Sequence, residues 1–348
     1  MKRLNCSKRV LLIVLVIVLA SVLLMAILVL NNKAKVKRRL QAYANYINSS
    51  ITKVFRQESH EQESHERIEY YLADDTITMT SKYGNDELRI RFGRRGPNQI
   101  PDIKSISIGS TALYSGGSDA VAMPYTVAAL ADINGDDTSH HYFTGGNHNY
   151  NNTGDPDGGA TGRNVSLCFY ADGKLLANGD SGNCSSIEIV FKNRIQAYNT
   201  RRADGTGREV LEESRTIRFD GSALHLCGSV LPLEDIRVEL YYGCGLNIAN
   251  GWPVIQYIGG ENRVKFDYSE HISSGNRKPN GIRCIGEHDR LDLMIDRSFD
   301  LGANPLIGAD DSGAFCTGLK VYFCLIRDSL LSAGDEYFFK ASYEFSPT

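Results

Sequence analysis

Residues 132–163 read DINGDDTSHHYFTGGNHNYNNTGDPDGGATGR and hold the densest set of side chains able to do chemistry. His148, between Gly146-Asn147 and Asn149-Tyr150, is the best candidate for a general base. An imidazole titrates near neutrality, and a neighbouring glycine lets a substrate come close to the backbone. A histidine that only hydrogen-bonds to hold its loop is the competing reading. His140 and His141 are adjacent, so on an extended chain they point opposite ways and one of them can enter a cleft; His141 is assigned to substrate binding.

Asp132, Asn134 and Asp136 place oxygen ligands at the one-three-five spacing that wraps calcium. Glycine falls at the fourth place of that run and Phe143 at the twelfth, so it is not an EF-hand loop. A calcium site and an Asx-rich turn that caps its own backbone both remain open. Arg237, Glu239, Tyr241 and Tyr242, followed by Trp252, Gln256 and Tyr257, form an aromatic and polar set. Sugar rings stack their C–H faces on aromatics, while their hydroxyls and carboxylates take amides and guanidinium forks. A buried corner of the core would use the same residues. Arg163 and Arg237 are the cations able to neutralise a uronate beside such a base.

The elements that must position these residues are strands. From Thr76 onward apolar residues recur at every second place, as in Leu88, Ile90 and Phe92 between Arg89 and Arg91. Residues 165–171 and 174–177 flank Asp172-Gly173, the signal for a type I′ hairpin. Longer runs cover 186–198, 208–219 and 236–242, and the chain closes on EYFFKASYEF. Many antiparallel strands without helices between them predict an all-β fold, a large antiparallel β-sandwich of jelly-roll or super-sandwich type. A barrel is the alternative. The region 132–163, poor in apolar residues, then becomes a long loop on a rigid scaffold, where function concentrates.

Residues 10–30 carry Ser21 as their one polar side chain and are long enough to cross a bilayer. They exceed the core of a signal peptide, and no small-x-small cleavage site follows, which favours an uncleaved anchor. Basic residues flank both ends, but a nine-residue tail most easily stays inside while the large domain is exported. The expected layout is a cytoplasmic tail (1–9), a transmembrane helix (10–30), a helical stalk and polar spacer (31–69) and an extracytoplasmic domain (70–348) at the cell membrane. A net charge of −3 leaves no excess of Lys and Arg to neutralise phosphates, so no nucleic-acid partner is expected. Eight cysteines without a CxxC or Cys/His spacing argue against zinc. Cys168 reads as a small buried hydrophobe, or as half of a disulfide to Cys184.

Three stretches, RVELY (237–241), IQY (255–257) and YFFKASYEF (337–345), resemble in order the signature strands of jelly-roll polysaccharide lyases of the alginate-lyase type. That resemblance implies a polysaccharide substrate, with Arg237 and Tyr343 catalytic and Lys340 on the substrate, while the aromatic and polar set assigns Tyr241, Gln256 and Trp252 to substrate binding. The chain departs from the family pattern where Tyr241 replaces an arginine, where no histidine follows Gln256, and where Lys340 and Tyr343 stand one residue closer. A one-residue slip turns a strand side chain to the other face. Lyase or hydrolase, glycan-binding module and protein-interaction module are the three functional classes left standing.

Overall fold

The computed structural model describes residues 67–348 except 117–118, 133–141, 149–158, 202–206, 248–251, 253, 260–264, 268–271, 274–278, 300, 302–313 and 318–319. All described residues belong to one compact unit, His65–Thr348. The first described strand begins at Ile68. The apolar run 10–30 and nearly all of the proposed stalk lie outside the described residues. Among the described residues, no helix is long and apolar enough to cross a membrane.

The described strands form three antiparallel sheets. The largest, of ten strands, runs Lys265–Asp267, Val254–Ile258, Gly281–Ile285, Asp289–Ile295, Tyr337–Pro347, Ala223–Pro232, Glu209–Phe219, Ile187–Gln196, Gly162–Ala171 and Lys174–Leu175. A six-stranded sheet runs Thr111–Tyr114, Ile100–Ile108, Asp86–Arg95, Thr76–Tyr83, Ile68–Ala73 and Ser181–Cys184. A five-stranded sheet runs Ile272–Ser273, Ala314–Thr317, Lys320–Leu331, Ile236–Asn247 and Tyr125–Ala129.

Both smaller sheets cover the same face of the largest one. In the large sheet Ile187, Ile189 and Phe191 pair directly with Phe219, Ile217 and Arg215, so all six side chains share a face. Phe191 meets Phe92 of the six-stranded sheet at 5.8 Å between ring centroids. Arg215 reaches Tyr241 of the five-stranded sheet, whose ring packs edge-on to Phe339 at 6.2 Å. This is a β-sandwich, as the alternation of the sequence predicts. Burial follows the same period: Ile187, Ile189, Phe191 and Ile195 are buried, while Glu188, Val190, Lys192 and Arg194 between them are exposed or half-buried. The predicted hairpin also forms, with Ala171 opposite Lys174 and Asp172 and Gly173 both at positive φ (45° and 80°), as a type I′ turn requires. Cys168 and Cys184 lie in different sheets as free thiols, which removes the disulfide alternative.

Tyr343 joins the layers. Its ring is wholly buried, and its hydroxyl stands 3.0 Å from Ala120 O and 2.9 Å from Gly245 O while accepting from Gly245 N at 3.2 Å. Removing this buried hydroxyl forfeits its bonds to two main-chain carbonyls at no gain in packing, although Gly245 N still donates to Ala120 O at 3.0 Å. Tyr343→Phe is therefore expected to lower unfolding stability by about 1–3 kcal/mol in urea titrations.

Candidate functional site

The segment around His148 is anchored by its own main chain. Thr144 pairs with Tyr125 at the edge of the five-stranded sheet through Tyr125 N to Thr144 O (2.8 Å) and Thr144 N to Tyr125 O (2.7 Å). Gly145 and Gly146 follow at φ of 73° and 50°, where a Cβ would strain the backbone and strike Ile195 or the carbonyl of Ala122. The chain then turns back, His148 N donating to Gly145 O at 3.0 Å.

Asn98, between two strands of the six-stranded sheet, and Thr161, just before the Gly162–Ala171 strand of the ten-stranded sheet, are both buried and fasten this turn. Asn98 Nδ2 donates to His148 O (2.5 Å) and Gly146 O (3.0 Å), while its Oδ1 accepts from the amides of Thr161 and Gly162. Thr161 Oγ1 donates to His148 O at 2.6 Å and accepts from Gly145 N at 2.9 Å. With the backbone so held, the imidazole has little freedom to wander. Its Nε2 lies 3.1 Å from Asp119 Oδ2. The Asp119 side chain is 7% exposed and its other oxygen accepts from Asn147 N at 2.5 Å, whereas the His148 side chain keeps 25% exposure. A buried carboxylate that orients a partly open imidazole is the pairing used to set a proton-transfer group. Phe143 lies 5.3 Å from the imidazole centroid, with Tyr242 6.1 Å beyond it and Tyr322 4.3 Å from Tyr242. The dyad thus opens beside aromatic rings.

All three sheets support the loop that carries Asp119. Asp102, on the six-stranded sheet, accepts from the amides of Ala120 (2.9 Å) and Val121 (2.9 Å), and Tyr343 and Gly245 hold the Ala120 carbonyl. Arg95 stands 3.7 Å from the Asp102 carboxylate and donates to Tyr114 Oη at 2.9 Å and Ile103 O at 3.0 Å. Burial, with Asp119 nearby, raises the Asp102 carboxyl from 3.8 to about 6, against the pull of Arg95 and of the two amides. A carboxyl raised on folding takes up its proton more readily in the native state. Its contribution is therefore complete below pH 3.8 and is lost as pH rises through about 6. Wild-type protein is expected to lose about 3 kcal/mol from this group between those limits. Asp102→Asn cannot titrate, so subtracting its urea-unfolding stability from that of the wild type, pH by pH, isolates this fall.

The other expected site residues do not converge on His148. Arg163 is a largely exposed partner of Glu209, at 2.6 and 3.0 Å. Arg237 is exposed and takes Asp328 at 2.8 Å. Tyr343 touches Gly245, eight residues along the strand from Arg237, which is roughly 25 Å at strand rise. Arg237 and Tyr343, the catalytic pair that the resemblance implies, therefore lie apart, one exposed at the surface and the other wholly buried in the core. Tyr343 and Tyr241 are wholly buried and face the core rather than solvent. Trp252 is buried too, at 1% exposure, which favours the core reading over a surface platform. Gln256 is half-buried opposite Arg283, and Lys340 lies over the Phe299 ring at 4.4 Å. Asp132 gives its carboxylate to Arg208, an arrangement that competes with metal ligation, while Asn134, Asp136 and His141 lie outside the described residues. Sequence reading missed Asp119, Asn98 and Thr161. Each is a polar residue in a loop or turn, and none shows a spacing relation to His148.

No family model matches the chain, and no curated protein does. Solved structures overlap it loosely. Galactose 1-epimerase from Lactobacillus acidophilus aligns at 7% identity and a TM-score of 0.33, over 81% of this chain and 98% of that one. An alpha-galactosidase from Lactobacillus brevis aligns at 9% identity and 0.37, over 83% and 40%. A heparan sulfate lyase HepC mutant from Pedobacter heparinus aligns at 8% identity and 0.32, over 80% and 36%. At these scores no residue correspondence is defined. What the fold and the site establish is an all-antiparallel β-sandwich with a histidine–aspartate dyad where its three sheets meet.

Proposed function

We propose that this chain is a carbohydrate-active protein that acts on a polysaccharide by proton transfer at His148, through elimination or hydrolysis. One observation carries the proposal: a partly open imidazole, fixed by a buried carboxylate at 3.1 Å, beside the rings of Phe143 and Tyr242. The dyad supplies a group able to take or give a proton, and the aromatic wall suits the C–H face of a sugar ring. Asp119 holds the ring in one orientation and stabilises the imidazolium that forms when it takes a proton. In the same reading residues 10–30 anchor the chain in a membrane and the sandwich stands outside the cytoplasm.

Full-length protein in detergent, incubated with uronic-acid polymers and with neutral polysaccharides, tests the activity. Elimination would appear as new ultraviolet absorbance from unsaturated ends, hydrolysis as new reducing ends without it. If neither signal rises above that of His148→Asn protein on any polymer, the catalytic reading fails.

A further inference from the structure

Two stretches of the described chain place an asparagine two residues before a serine: Asn164-Val165-Ser166 and Asn183-Cys184-Ser185. That spacing is the acceptor pattern for an N-linked oligosaccharide. Such a group is bulky and hydrated, so it can stay only where the asparagine nitrogen faces water with room around it. The surroundings of the two asparagines tell them apart.

Asn164 is already committed. Its half-buried side chain places Nδ2 within 2.9 Å of Ser166 O, 3.0 Å of Lys192 O and 3.0 Å of Asn193 Oδ1. Its Oδ1 accepts from Arg94 at 3.3 and 3.1 Å. A sugar on that nitrogen would break these bonds and force a large group against Asn193, which is wholly buried. A chain modified there could not close this part of the sandwich.

Asn183 stands differently. Ser181–Cys184 pairs with Ile68–Ala73 and forms one edge of the six-stranded sheet. Cys184 faces inward and is buried, so by alternation Asn183 faces out, and it is exposed, as Ser185 is. Among the described residues, neither the Asn183 nor the Ser185 side chain makes a hydrogen bond. Asn183 lines a shallow concavity of about 650 Å³ together with Tyr70, Tyr71 and Ser181. Tyr71 stands opposite Ser181, hence one diagonal from Asn183 on the same outward face, and is 53% exposed. Its ring offers the surface along which a first sugar residue can lie.

We propose that Asn183 is an N-glycosylation site and that Asn164, despite the same motif, is not. In the transfer, Asn183 Nδ2 bonds to C1 of an oligosaccharide carried on a polyprenyl diphosphate. The C1–O bond to the diphosphate breaks, the diphosphate leaves with the electron pair, and the amide proton passes to the transferase. The inference rests on the reading that the sandwich stands outside the cytoplasm, where secreted chains receive such groups. A hydrated glycan here also shields an open sheet edge from pairing with another chain.

Full-length protein expressed in cultured animal cells tests this. Sealed microsomes treated with protease from outside report on which side the sandwich lies. Protein purified from the same membranes is digested with N-glycosidase in heavy-oxygen water, which leaves a heavy aspartate wherever a sugar was attached. Peptide mass spectrometry is expected to find that label at Asn183 in most molecules and to find Asn164 unlabelled. Asn183→Gln should remove one glycan from the intact mass. Ser185→Ala keeps Asn183 and should abolish its label, which decides the matter should Asn183→Gln fail to fold. The proposal is overturned if a protease-protected sandwich carries no label at Asn183, if folded protein is labelled at Asn164, or if the Asn183 label survives Ser185→Ala. A sandwich digested from outside sealed microsomes overturns the extracytoplasmic reading and this inference with it, so protease protection and peptide label separate the two failures.

Discussion

His148→Asn is expected to lower kcat/KM on the polymer that the wild type cleaves by about 10²–10⁴-fold, the usual contribution of a positioned acid or base. Asparagine places its amide where Nδ1 stood and does not reach the Asp119 oxygen that faces Nε2, but Asp119 keeps the hydrogen bond from Asn147 N, so the carboxylate is not abandoned in the core. The clamp on this turn is made by the His148 carbonyl and amide rather than by the ring, so the backbone should survive the change. Unfolding stability should therefore stay close to wild type while activity falls. Asp119→Asn should give a smaller loss, since the imidazole remains but its orientation is no longer enforced. Steady-state kinetics beside urea titrations of the same preparations separate the two quantities. Activity within about threefold of wild type in His148→Asn would remove the histidine from the chemistry.

Arg215→Met is expected to destabilise the fold by about 3–5 kcal/mol, the largest effect on stability anticipated here. Arg215 has no exposed side-chain surface, and Glu213, its partner through Oε1, is 2% exposed. Tyr125 donates to Glu213 at 2.9 Å and Asn193 donates to it at 2.8 Å, so the carboxylate is held from three directions. The guanidinium also stands 4.8 Å from the Phe339 centroid and bonds the Tyr241 hydroxyl. Burial pulls Arg215 towards losing its proton, but Glu213, Tyr241 and Tyr125 outweigh that and keep it charged. Removing it leaves a carboxylate buried without its counter-ion. Replacing both members, as Glu213→Gln with Arg215→Met, should recover much of the loss, because the desolvation cost of each charge disappears with it. A double-mutant cycle in urea gives both numbers. If the double variant is as unstable as the sum of the singles, the pair is not coupled.

The Glu213–Arg215 pair also shows how much of this was legible beforehand. In EVLEESRTIRF, Leu211, Glu213, Arg215, Ile217 and Phe219 share one parity, and all five are buried. Period-two reading places two charges on the core face, and the inference that they must pair there was within reach of the sequence. The strand identity of 187–196 and the turn at Asp172-Gly173 were equally legible. Alternation and a positive-φ dipeptide are local properties, set by the geometry of a few adjacent residues.

The candidate site belongs to the other category. His148 was singled out by residue type and glycine context, but Asp119 lies 29 positions away and joins it through a turn closed by Asn98 and Thr161. Tyr343, Tyr241 and Trp252 have the residue types of a sugar site, and burial takes all three out of solvent. Local composition determined that this chain is built of alternating strands with one wet face, because side-chain direction along a strand repeats every two residues. Which polar side chains meet was decided only when two smaller sheets closed over one face of a larger one, since contacts between distant segments depend on how sheets stack and leave no periodic trace in the chain.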